Sequence, residues 1–191
     1  MRRIINMVTL LALLSMGVSC GNKSSTADKN IFSSNDSLSS NSTNDEDKLA
    51  ETGTSLMKNE SFGKIKLGVG AKKIIEILGV PESKTKAELW GADGEYHQQW
   101  NYTEKGIQLD FMGDSVQVVN MITLSEPCKL KTSRNIGIGS SIEDVQRAYG
   151  KEINQAASSS ESIVAGTIYG GIIFNIDNRK VKSIFSGASA E

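Results

Sequence analysis

Few residues of this 191-residue chain are equipped for chemistry. There is one histidine, His97, and there are two cysteines, Cys20 and Cys128. So small a set excludes a disulfide-dense scaffold and a Cys/His zinc site of the usual spacings. It also restricts general-base catalysis, and no serine or cysteine stands near the histidine in a recognisable nucleophile frame. No enzymatic activity is expected. An excess of one charge is lacking too: the formal net charge is −1, and from Ser61 onward 15 Lys and Arg balance 15 Asp and Glu. A nucleic-acid binder carries a basic excess on its binding element, so no nucleic-acid partner is expected. Gly68-Val69-Gly70 and Gly137-Ile138-Gly139 precede helical patterns, but neither continues as Gly-x-Gly-x-x-Gly or reaches a Walker lysine. They read as entry turns, and no cofactor is expected. No apolar run reaches the roughly 20 residues that span a bilayer.

What is present begins at the N-terminus. Met1-Arg2-Arg3 supplies positive charge, Ile4 to Val18 is a short apolar run, and small residues follow. This is the pattern of an export signal over residues 1–19. The segment closes on Gly17-Val18-Ser19-Cys20, which resembles the bacterial lipobox, with Gly17 in place of a larger aliphatic residue. That resemblance implies lipidation of Cys20 and a membrane held by lipid. Several acyl chains anchor firmly where one does so marginally, at about 0.8 kcal/mol per buried CH₂. The expected location is the cell envelope, most naturally an outer membrane, facing the periplasm or the cell surface.

Residues 20–60 read as a tether. From Gly21 to Glu60, Ser, Thr and Asn fill 19 of 40 positions, and the large apolar residues stand isolated. Such a segment buries too little apolar surface to offset backbone ordering and is expected to be disordered, with a reach of roughly 35 Å. Asp36-Ser37-Leu38 and Asp114-Ser115-Val116 resemble the Asp-Ser/Thr-apolar acceptor of periplasmic O-glycosylation, which makes Ser37 and Ser115 candidate modification sites.

Residues 61–191 carry an internal self-similarity, the sign of a repeated unit. Ile65-Lys66-Leu67-Gly68, moved by 71 positions, falls on Ile136-Gly137-Ile138-Gly139. At that offset Ile74 meets Val145, Leu78 meets Tyr149 and Gly79 meets Gly150. Farther on, Ile107, Leu109 and Phe111 meet Ile172, Phe174 and Ile176 at an offset of 65, with Val116 and Val119 meeting Val181 and Ile184. Each copy, about 63–124 and 134–187, begins with a helix. The first spans Ala71 to Leu78, with Ile74, Ile77 and Leu78 on one face, stopped by Gly79 and Pro81. The second starts behind Ser140 or Ser141 and ends at Gly150. Strands follow: a hairpin of Ala87–Trp90 and Tyr96–Tyr102, then Ile107–Phe111 returning as Val116–Leu124; in the second copy Ser162–Tyr169, then Ile172–Ile176 returning as Val181–Phe185. The expectation is an α+β domain, two α-β-β-β units forming one antiparallel sheet with helices on one face.

These residues resemble the SmpA/OmlA lipoprotein family and the tandem-repeat β-lactamase inhibitory proteins of the same architecture. The matching positions are Gly68-Val69, Ile74, Leu78-Gly79-Val80-Pro81, Trp100-Asn101-Tyr102, Leu109-Asp110-Phe111 and the strand from Val116 to Met121. The second copy keeps the helix and hairpin but lacks the Trp-x-Tyr. The resemblance implies a non-catalytic module that binds another envelope or secreted protein, in assembly or scaffolding; the alternative is an inhibitor or immunity protein against a secreted enzyme, and the rival class is an enzyme acting on envelope material.

One stretch has binding character. Trp90, Tyr96, Trp100 and Tyr102 share one strand face by even numbering, and interfaces are enriched in Trp and Tyr. Trp100 and Tyr102 read as core. His97 has Asp93 and Glu95 nearby, the wrong set for a compact metal site, and reads as an exposed strand histidine. His97, Gln99, Asn101, Gln108 and Asp110 then form a polar, exposed sheet face, the candidate partner-binding surface, and Trp90 and Tyr96, on the other face, are further candidates. Cys128 reads as a buried free thiol, with an intermolecular disulfide as the alternative.

Overall fold

Alternation of apolar and polar side chains builds most of this molecule. A computed structural model describes residues 41–188; the export segment 1–19, Cys20, Ser37 and the rest of the chain up to residue 40 lie outside the described residues. Among the described residues the architecture is α+β, with one antiparallel sheet of eight strands and three α-helices. The strands are β1 (Ser83–Lys84), β2 (Glu88–Leu89), β3 (Tyr96–Tyr102), β4 (Ile107–Met112), β5 (Val118–Ser125), β6 (Ser162–Thr167), β7 (Gly170–Asp177) and β8 (Lys180–Gly187). Their order is β1-β3-β4-β5-β8-β7-β6, with β2 also pairing to β3. The two hairpins β4–β5 and β7–β8 meet along β5 and β8, where Leu124 faces Ile184.

Directly paired residues point to the same side of a sheet, so the register assigns each face. Leu109 pairs with Ile122 and Phe174 with Ile184, and all four are fully buried. They share one core with Trp100 and Tyr102 of β3, Ile74 of helix α2 (Ala71–Leu78), and Val145 and Tyr149 of helix α3 (Ile142–Tyr149). The Trp100 ring lies 4.2 Å from that of Phe111, and Tyr149 lies 5.0 Å from Phe174. Residues of opposite parity on these strands face the other side.

Both helices occupy the expected residues. α2 ends where Gly79 turns to φ +86° and donates its N–H to the Ile75 carbonyl at 2.9 Å. In α3 the cap is Ser141: its hydroxyl accepts from the Asp144 N–H at 3.1 Å, and Asp144 accepts from the Ser141 N–H at 3.3 Å. This reciprocal box satisfies two donors that a helix start leaves open. The return of the first hairpin begins at Val118, so Val116 is not in the strand: it lies exposed in the turn, with Ser115 beside it.

The tether expected over residues 20–60 does not extend to 60. Asn41–Asn59 is a helix, α1, and it packs against β6 and β7. Its inward positions are Leu49, Thr52, Gly53, Leu56, Met57 and then Glu60, the i, i+3, i+4 spacing of one helical face. Gly53 is the closest point: a Cβ built there would stand 2.0 Å from the Gly170 carbonyl oxygen. A Cβ on Gly166 would come within 2.5 Å of Gly53 Cα. Backbone meets backbone, which only glycines permit. That contact is invisible to a search for large apolar residues.

Candidate functional site

The face of the sheet opposite the core carries the candidate surface. Gln99 pairs with Asp110, Gln108 with Thr123, Asp110 with Met121, and Thr123 with Phe185. These residues therefore project together. A β-bulge between Asp110 and Phe111 leaves Asn120 without a direct partner in β4. Beside β3, at the sheet's edge, runs an arm, β1 to β2, joined to it also at Thr85, whose N–H donates to the Gln99 carbonyl at 2.9 Å. Between arm and sheet lies a cleft of about 340 Å³, lined by Thr85, Glu88, Trp90, Gln108, Met121 and Phe185 among others.

His97 sits at the cleft's floor and is not the exposed histidine expected. It is 3% accessible, with Nδ1 2.7 Å from Asp110 Oδ1 and Nε2 2.9 Å from Asp93 Oδ2. The Trp90 indole lies flat on its ring, centroids 3.8 Å apart and planes 7° from parallel. Three contacts from three segments bury a side chain that strand numbering alone left in water. Asp93 is held by its own turn, its Oδ1 accepting from the Glu95 N–H at 3.0 Å.

This geometry selects a protonation state. A neutral imidazole donates from one nitrogen only, so a carboxylate on each nitrogen leaves one lone pair facing another; an imidazolium donates to both. Burial pushes the His97 pKa down, but the Asp110 and Asp93 hydrogen bonds and charges outweigh it, and the net shift is upward from the ordinary 6.5. Burial raises the Asp110 carboxyl despite the opposing pull of His97. The Glu95 N–H, then His97, hold exposed Asp93 below its ordinary value. Both ring nitrogens of His97 are thus engaged by carboxylates. Each nitrogen points at a single carboxylate, and among the described residues no three His, Cys, Asp or Glu side chains could hold a metal together.

The expected site residues divide accordingly. Gln99, Asn101 and Gln108 are half-buried on the open face, while His97 and Asp110 are buried beneath Trp90. Trp90 does not share Tyr96's face. In the β2–β3 pairing Glu88 faces His97 and Leu89 faces Tyr96, so partners have opposite parity and Trp90 falls on the His97 side. Tyr96, 41% accessible, belongs to the helix-bearing side at the sheet's end, beside exposed Leu89. Sequence reasoning missed Met121, Thr123 and Phe185; the alternation of Met121 and Thr123 with Ile122 and Leu124 was the available signal. Trp100 and Tyr102 are core as expected, with burial pushing the Tyr102 hydroxyl up to about 12. Cys128 is buried and free, its thiol raised by burial.

A second polar cluster fastens α1. Glu60, 5% accessible, accepts from the Ser133 N–H at 2.7 Å, the Tyr149 hydroxyl at 2.7 Å and the Ser61 N–H at 3.0 Å. Arg134 Nε stands 3.8 Å away. Burial alone would raise the Glu60 pKa, but these donors outweigh it and lower it. Every acceptor position of note is filled, so the cluster reads as a brace between α1, α3 and the 132–136 turn. No described helix is long and apolar enough to cross a membrane. No family model matches this chain, and neither a curated protein nor a solved structure matches it.

Proposed function

We propose that this protein is a non-catalytic, lipid-anchored component of the cell envelope, held through Cys20 to an outer membrane, whose open sheet face binds another envelope or secreted protein. The observation that carries the binding reading is the cleft between the arm and the sheet. Trp90, Met121 and Phe185 offer aromatic and apolar surface, and Gln99, Gln108, Thr85 and Thr123 surround it with amides and hydroxyls. Apolar anchors within a polar rim suit protein side chains.

The reading extends to a tandem repeat of the SmpA/OmlA type, in which 63–124 and 134–187 are copies. Several coincidences support it. The register slips between Asp110 and Phe111 in one hairpin and between Asn175 and Ile176 in the other, 65 positions later in both cases. Ahead of α2 the Gly68 N–H donates to Val119 O at 2.7 Å; ahead of α3 the Gly139 N–H donates to Val181 O at 2.8 Å. Val119 and Val181 donate back, to Val69 and Ser140, both at 2.9 Å. By these bonds Val119 corresponds to Val181 and Ile122 to Ile184, so the alignment of Val116 with Val181 is replaced by one in which the first turn is three residues longer.

Site-directed photo-crosslinking in the native envelope tests the binding reading. A crosslinker at Gln99 or Gln108 should trap one discrete protein, and the same crosslinker at Lys72 on α2 should not. Adducts of equal yield from both positions, or none from the cleft, would refute the proposal.

A further inference from the structure

The arm side of the cleft is Thr85, Lys86, Glu88 and Trp90, and Trp90 opens the arm tip that runs to Glu95 beyond the β2–β3 pairing. Two backbone bonds close the turn on itself, Trp90 N–H to Glu95 O and Gly94 N–H to Trp90 O, both 2.9 Å. From the tip to the cleft's floor run two side-chain contacts, Asp93 to His97 Nε2 and Trp90 stacked on the same ring. Both depend on one imidazole. We propose that His97 is a proton-operated latch: as imidazolium it clamps the Trp90–Glu95 tip to the sheet, and as neutral imidazole it releases the tip. This inference rests on the reading of the cleft as a binding site and concerns how that site is regulated.

The groups facing His97 make the direction of release definite. On β4 stands Asp110, at 8% accessibility; on the tip stands Asp93, exposed; on β2 stands Glu88, directly opposite; and Lys86 lines the same cleft. Three carboxylates against one ammonium favour the cation. When the imidazolium loses its proton, the remaining N–H stays with Asp110, because that buried carboxylate has little access to water as a substitute donor. Asp93 can be hydrated at little cost, so its bond is the one given up. The indole then loses its cationic partner, since cation–π attraction needs the charge. The tip is thus ordered on the acid side of the His97 titration and mobile on the alkaline side. A partner gripping the closed cleft is held more weakly as pH rises.

His97 is the chain's sole histidine, so its imidazole signals are unambiguous in the full chain held in detergent micelles. Nitrogen NMR should show both ring nitrogens protonated near neutrality, with a midpoint above the ordinary value of about 6.5. Exchange protection of the Gly94 amide, corrected for intrinsic rate, should fall about threefold to tenfold across that midpoint, as expected for loss of one charge-assisted hydrogen bond at the surface. Asp93→Asn keeps an oxygen for the Glu95 N–H but removes the charge, and should lower the midpoint by about one pH unit. A His97 that is neutral throughout, or Gly94 protection that stays flat across the titration, would overturn the latch. Neither result depends on a partner, so failure of the latch and failure of the crosslinking test are separable.

Discussion

Replacing Gly53 by alanine sets two physical effects against each other, and the sign of the outcome decides whether α1 belongs to the folded domain. In a free or solvent-exposed helix, alanine at an interior position is better than glycine by about 0.8–1.0 kcal/mol. In the docked helix the new Cβ would stand 2.0 Å from the Gly170 oxygen and 2.9 Å from its carbonyl carbon. Non-bonded heavy atoms settle at about 3.5 Å, so α1 must withdraw by roughly 1 Å or more, and gaps of that size forfeit a quarter to half of each contact's attraction. The obstacle is strand backbone, which cannot rotate aside. Overpacking of this kind costs about 1–3 kcal/mol, and it also lifts Leu56 from the core. The expected net effect is destabilisation by about 1–2 kcal/mol, read as a Tm lower by roughly 3–6 °C. Circular dichroism melts of the domain beginning at Asn41 measure it. Thr54→Ala, on the exposed side of the same helix, serves as control and should be neutral or slightly stabilising. A Gly53→Ala protein as stable as the parent, or more stable, would refute the docking of α1 and restore the tether to residue 60.

Glu60→Gln should destabilise the domain at neutral pH, since a weaker acceptor replaces a buried carboxylate with three donors. The Glu60 pKa is lowered on folding, so its contribution is complete above the ordinary value near 4.5 and is lost as pH falls through the folded value. Urea titrations from pH 7 downward should therefore show the gap between parent and variant closing on the acid side, and a gap that widened there would contradict the brace. Leu109→Ala and Phe174→Ala should each cost about 2–5 kcal/mol through lost burial and the cavity left, and hydrogen exchange should show both hairpins opening together. Full protection around Val119 in the Phe174→Ala protein would mean two independently stable units. Cys20→Ser should abolish lipidation; in detergent phase partitioning the parent should enter the detergent phase and the variant should not, and equal partitioning of both into water would dismiss the anchor.

Local pattern was enough for much of the chain. The 3.6-residue spacing of Ile74, Ile77 and Leu78, stopped by Gly79, delimits α2 because a helix face and its terminator are both contiguous in sequence. Strict alternation in Ile107-Gln108-Leu109-Asp110-Phe111 sets β4 and its two faces for the same reason. Parity within β3 puts Gln99 and Asn101 opposite Trp100 and Tyr102, and parity within β4 puts Gln108 opposite Leu109. Parity cannot cross a turn, however, and the pairing of Glu88 with His97 put Trp90 on the face opposite to Tyr96. Three decisions belonged to the tertiary structure alone. Burial of His97 needs Asp93, Asp110 and Trp90 converging from a turn, a neighbouring strand and an arm, and none of the three is informative until the strands pair. The cleft joins Met121 and Phe185, residues from separate hairpins brought together where β5 meets β8. And α1 is held by the near contact of Gly53 with Gly166 and Gly170, where what matters is the side chain that is missing. Hydrophobic pattern reports the surface a residue must hide; close approach of two backbones leaves no such mark, because it becomes favourable only once both surfaces exist.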